Sequence, residues 1–138
     1  MTVDDIVVNK AAAIERSVGR ITEEYAGDPA NLHQNWTKQD SIILNIQRAC
    51  EASIDLAMHL VRKHKLGVPQ RTRDAFDMLG GSGLLAEDLA SALKNMVGFR
   101  NIAIHDYQAL NLAIVQSIVE RHLTDFTDFS SWALTRES

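Results

Sequence analysis

The sequence predicts an all-α protein, one domain over residues 1–138, built as a bundle of four long helices and one short helix. Three observations predict it. Apolar residues recur at spacings of three and four along most of the chain. No stretch alternates apolar and polar residues between turn signals, as a half-buried strand would. Glycine and proline gather at Gly27 to Pro29, Gly67 to Pro69 and Gly80 to Gly83, and these breakers cut the chain into helix-length pieces. A chain of 138 residues, 46% hydrophobic, suits one domain with a real core.

In the first helix, Val7, Ala11, Ile14, Val18, Ile21 and Tyr25 form one apolar stripe. Asp4 and Asp5 favour its N-terminal end through capping and the helix dipole. Residues 27–36 read as a loop. Thr37, with Asp40 three positions on, has the form of a capping box, and a second helix follows to about Lys63. Its stripe is Ile43, Ile46, Cys50, Ile54, Ala57 and Val61. Ile42, Ala49 and Leu56 widen the apolar face, which predicts a central position or an interface. A short helix is predicted over 70–79, and Gly80, Gly81 and Gly83 read as a flexible connector. The fourth helix runs from about Leu84 through Leu89, Met96 and Phe99, ending near 103–106. The fifth starts near 107–110, with Asp106 as its cap, and continues through Val115, Val119, Phe126 and Phe129 towards Trp132.

Composition narrows the function classes. No apolar run approaches the ~18 residues that a spanning helix needs. The first residues carry acid before base and lack the pattern of a secretory signal. Cys50 is the single cysteine, so neither an intrachain disulfide nor a cysteine zinc site is expected. Together these features predict a cytoplasmic protein. His33, His59, His64 and His122 show no two-histidine metal spacing, and no metal or cofactor is expected. A net charge of -4 and a pI near 5.7 argue against broad non-specific nucleic-acid binding. A local patch is needed instead. Arg62, Lys63, Lys65, Arg71 and Arg73 fall in an acid-free stretch and form either such an RNA-binding patch or a solvated basic connector.

The segment that carries chemistry runs from Gly98 to Tyr107, GFRNIAIHDY. Arg100 and His105 are five positions apart, roughly 140° around an ideal helix. They converge only if the helix ends between them or if two chains contribute. Beyond such an end, His105 and Tyr107 point to one side of an extended stretch. Taken alone, Arg100 also reads as an ion-pair partner of Asp106 or Glu51, and His105 as a residue favoured by a helix C-terminus. Glu51 and Asp55 lie one turn apart on the second helix; they either support the site or form a solvated edge.

Arg-x4-His with Asn101 after the arginine resembles the active-site motif of HEPN-domain ribonucleases. The longer Arg-x4-His-x-Tyr resembles the HepT subgroup, the toxin half of a two-gene system. The stretch from Gln39 to Arg48, Glu51, Asp55, Gly67-Val68-Pro69 and Met96-Val97-Gly98 are similar to HepT proteins too, so the resemblance covers nearly the whole chain. It implies a HEPN-like bundle, dimeric, that cleaves RNA without metal. In that reaction the 2′-hydroxyl attacks, leaving a 2′,3′-cyclic phosphate and a 5′-hydroxyl. His105 then serves as general acid or base, because imidazole titrates near neutrality. Arg100 clamps the phosphorane with a fixed charge, and Asn101 orients the phosphate or His105. Tyr107 is implied as the site where a minimal nucleotidyltransferase antitoxin, MntA, attaches AMP. The implied partners are an RNA, transfer or messenger, that antitoxin and a second copy of the chain, with no membrane. The alternative is a non-catalytic HEPN module that binds nucleotide or RNA as accessory subunit to a nucleotidyltransferase. Retention of both Arg100 and His105 favours catalysis.

Overall fold

A computed structural model describes residues 4–137, and these contain helices and turns with no strand. Helix α1 (Asp5–Tyr25) starts where the Asp4 carboxylate accepts the N–H groups of Ile6 and Val7. It stops where Ala26 and Gly27 both take positive φ. The loop expected over 27–36 contains one helical turn, α2 (Ala30–His33), which Pro29 starts with its fixed φ of -55° and which Asp28 supports through the Ala30 N–H.

Helix α3 (Trp36–Lys63) begins at Asn35, whose side chain accepts from the Lys38 N–H at 3.0 Å. The predicted Thr37–Asp40 capping box does not form. The helix starts before Thr37, and the Asp40 carboxylate is engaged elsewhere. Helix α4 (Thr72–Gly81) starts on Asp74, which accepts the N–H groups of Gln70 and Arg71. It swallows Gly80 and Gly81, the first half of the expected connector. Gly80 is buried against α5, and a Cβ there would come within 3.0 Å of the Ala90 Cβ. Its lack of a side chain therefore sets how closely the two helices pack. Gly83, with φ +80°, makes the turn itself.

Helix α5 (Glu87–His105) is followed by a 3-10 turn over Tyr107–Ala109, then α6 (Leu112–Ser117), a π-helical turn (Ile118–His122) and α7 (Leu123–Arg136). Asp106 ends α5, where its N–H reaches the Ile102 carbonyl; the cap of the last helical segment is Asn111, not Asp106. On the π turn Glu120 accepts the Tyr25 hydroxyl, which ties the end of α1 to the last helical run.

Helix α3 is central, packed against α1, α2, α4, α5 and α7. Its second apolar row, Ile42, Ala49 and Leu56, is fully buried, which accounts for the wide face in the sequence. Phe76, Phe126 and Phe129 lie at the heart of the core, Phe76 edge-on to Phe129 and Trp132 stacked on Phe129. Trp36 remains 81% exposed. Among the described residues no helix is long and apolar enough to cross a membrane.

Candidate active site

The buried residues of α5 are Ala90, Leu93, Met96, Val97, Phe99 and Ala103, and they define its inner face. Arg100 falls at the centre of that face, only 15% exposed, and turns its side chain towards α3. There its Nε lies 3.6 Å from the Glu51 carboxylate. That Nε is buried and makes no hydrogen bond among the described residues. The guanidinium is therefore held by charge and packing rather than by a fixed hydrogen bond. Asn101 and His105 are exposed on α5, and among the described residues no side-chain partner engages either.

The helix does not end between Arg100 and His105. Both belong to α5, roughly 140° apart around its axis. The one-chain route to convergence is thus absent, and the route that remains is a second chain. Tyr107 does not continue in extended conformation but sits in the 3-10 turn. Its hydroxyl donates to Asp40 Oδ1 at 2.5 Å. Partial burial, and then the hydrogen bond to the Asp40 carboxylate, push the phenol up to about 12. Tyr107 is nonetheless 40% exposed. Asp40 was missed as a site residue because its position suits a helix N-terminus. A signal existed: Asp40, Gln47 and Glu51 follow helical spacing and make one polar row on α3.

Glu51 faces the site, whereas Asp55, one turn on, is exposed and pairs with Lys10 at 3.0 Å. The basic stretch spans the end of α3, the loop that follows and the start of α4. Lys63 is taken up by Asp4 at 2.8 Å and Glu137 at 2.9 Å. Arg62, Lys65 and Arg71 are exposed around the end of α3 and the start of α4. Arg73 reaches α5. Its Nη2 would stand 2.8 Å from a Cβ at Gly98, so that glycine lets the guanidinium lie on the helix two turns before His105. Beside the motif, Phe99, Ile102, Leu110 and Ile114 line an apolar groove of about 580 Å³ between α5 and α6. Burial pushes the Cys50 thiol far up and leaves it a core residue. No group of three or more His, Cys, Asp and Glu among the described residues could hold a metal ion.

A helical bundle whose α5 carries Arg-x4-His on two sides of its last turns, with a carboxylate-bound tyrosine just beyond, defines a HEPN-type nuclease fold. The ribonuclease HepT-like family profile matches residues 14–131, and the chain belongs to that family. It is 51% identical over 126 residues to the mRNA nuclease HepT of Shewanella oneidensis, covering 91% of this chain and 94% of the relative. The structure also matches the tri-AMPylated Shewanella oneidensis HEPN toxin in complex with MNT antitoxin. That match has a TM-score of 0.88 and 50% identity, over 94% of this chain and 96% of the other. A toxin–antitoxin structure with AMP-PNP matches with a TM-score of 0.89 and 49% identity, over 94% and 97%.

Proposed function

We propose that this protein is the toxin ribonuclease of a toxin–antitoxin pair, a metal-independent endoribonuclease acting as a cytoplasmic homodimer. A nucleotidyltransferase antitoxin silences it by attaching AMP to Tyr107. The observation that carries the reading is the arrangement at the end of α5: Arg100 held at Glu51, His105 exposed, and Tyr107 two residues further on, bound to Asp40. The kinship with an mRNA nuclease and with an AMPylated HEPN toxin supports it.

The chemistry follows from the side chains. The RNA 2′-hydroxyl attacks its own phosphorus, and the 5′-oxygen leaves. One proton must leave the nucleophile and one must reach the leaving group. An imidazole can both accept and donate a proton near neutrality, and His105 supplies one. Arg100 carries a permanent charge for the phosphorane oxygens. Since one chain holds the two groups on different sides of α5, two copies facing each other complete the cleft, each bringing one His105. The exposed apolar side chains Ile102, Ile104 and Ile114 beside the motif suit burial in such a dimer. AMP on Tyr107 places bulk and negative charge where the substrate phosphate must sit.

Expression in a bacterial host tests this. The wild type should arrest growth, and His105→Ala should not. Co-expression of the nucleotidyltransferase should relieve the arrest and add adenylyl mass to the wild type, but not to Tyr107→Phe, which stays toxic. A His105→Ala variant as toxic as the wild type contradicts the assignment.

A further inference from the structure

A second site lies away from the motif. Helices α1 and α3 enclose a cleft of about 390 Å³ lined by Ala13, Arg16, Ser17, Arg20, Asn45 and Arg48. Three of its six lining residues are arginines, and none is an acid. All three arginines are exposed, and among the described residues none is in an ion pair or a side-chain hydrogen bond. In a chain of net charge -4, three uncompensated guanidinium groups around one cavity are a local reversal of the overall balance. In the cleft wall Asn45 is 2% exposed and fixes its amide nitrogen on the Ser41 carbonyl, while its Oδ1 has no hydrogen-bond partner among the described residues. A buried acceptor left unsatisfied costs free energy, and an arginine N–H drawn inward over a bound anion is the group that satisfies it.

We propose that this cleft binds the phosphodiester backbone of the RNA substrate, as an anchor distinct from the catalytic motif. The inference rests on the ribonuclease reading above and deepens it. Arginine presents a planar fork that fits phosphate oxygens two at a time. Arg16 and Arg20 stand one turn apart on α1, about 6 Å along its axis, close to the spacing of successive phosphates on one RNA strand. Arg48 faces them from α3. One turn further along α3 is Glu51, which holds Arg100. The cleft and the catalytic arginine thus flank the same exposed strip of α3. A strand lying across that strip is gripped by three charges on one side and meets Arg100 on the other. Contacts of this kind set affinity and register rather than sequence preference.

The test uses fluorescent single-stranded RNA and intact protein. In a His105→Ala background, which binds without cutting, the triple variant Arg16→Gln, Arg20→Gln, Arg48→Gln is compared with unaltered arginines across a salt series. Affinity should fall about 10- to 100-fold, and the dependence of log K on log salt should become shallower by roughly 2, three contacts' worth on a single strand. With His105 restored, the triple variant should raise KM and leave kcat and melting temperature unchanged. The Arg→Lys triple should recover most of the salt slope, since it restores the charges without the fork. Equal affinity and equal slope in a wild type that does cleave RNA overturn the anchor and spare the ribonuclease reading. Absence of cleavage by the wild type overturns that reading itself. Unchanged RNA binding with lost capture of the nucleotidyltransferase overturns the anchor and gives the cleft to an acidic protein face.

Discussion

Tyr107 donates its phenol proton to Asp40, and this contact has a measurable titration. A pKa raised to about 12 favours the protonated phenol in the folded state. Its contribution to stability is fully present below the ordinary value of 10.0 and is lost as pH rises through about 12. Burial is the larger cause, so Asp40→Asn should lower the Tyr107 midpoint part of the way towards 10.0. Tyr25, the other tyrosine, held near 12 by its own burial and by Glu120, should not move. Ultraviolet titration of tyrosinate separates the two; coincident midpoints in the variant would refute the contact. The same substitution should slow AMP transfer to Tyr107, because the phenol loses the acceptor that fixes its direction. At the neighbouring pair, Glu51→Ala frees the Arg100 guanidinium. Cleavage should drop about 10- to 100-fold, with RNA affinity nearly intact. The catalytic candidates were legible as residues, because Arg-x4-His-x-Tyr is contiguous in the chain. Asp40 and Glu51 were not separable from a cap and a solvated edge. Their role depends on which α3 face meets α5, and that is fixed by packing.

At the scale of elements, Asp4 and Glu137, the first and last described residues, are both tied to the C-terminal end of α3. Asp4 caps α1 and also receives His59 and Lys63, each at 2.8 Å, and these hydrogen bonds hold its carboxyl well below the usual range. A depressed folded-state pKa contributes stability that is complete above the unfolded value and is lost as pH falls through 3.8 and below. Asp4→Ala should therefore destabilise by about 1–2 kcal/mol near neutrality, a lost cap together with solvent-screened ion pairs. The difference from the wild type should shrink in strong acid. Denaturant melts at two pH values measure both. The helices themselves were readable from their apolar spacing, and the chain breaks at Gly27 and Gly67 followed from glycine and proline. What escaped were short-range choices. Asn35 outcompeted Thr37 as a cap, a single helical turn filled residues 30–33, and Gly80 joined α4 because α5 approaches too closely for a side chain. The π turn left no mark on the apolar period, since its two flanks share one stripe.

For the whole molecule, the decisive feature is that α5 carries Arg100 inward and His105 outward. If two copies build one cleft with both histidines in use, the protein should sediment at twice 15.3 kDa. Tethered dimers of wild type and His105→Ala should then be as inactive as the double variant. Half activity in the tethered mixed dimer would point to a site complete in each chain. The all-helical class was legible because every long segment kept one period. The proposed second copy was legible only as a geometric conflict within five residues, and the continuous helix keeps the two side chains on different sides of α5.

In the proposed mechanism Arg100 and His105 cut RNA without metal. Purified, unmodified protein, its intact mass showing no adenylyl group, would be incubated with RNA in excess EDTA, and the fragment ends read by gel and mass spectrometry. The wild type should leave 2′,3′-cyclic phosphate and 5′-hydroxyl ends, and His105→Ala should lose about 10²- to 10⁴-fold in rate. No cleavage by the unmodified protein, or cleavage that EDTA abolishes, would contradict this mechanism.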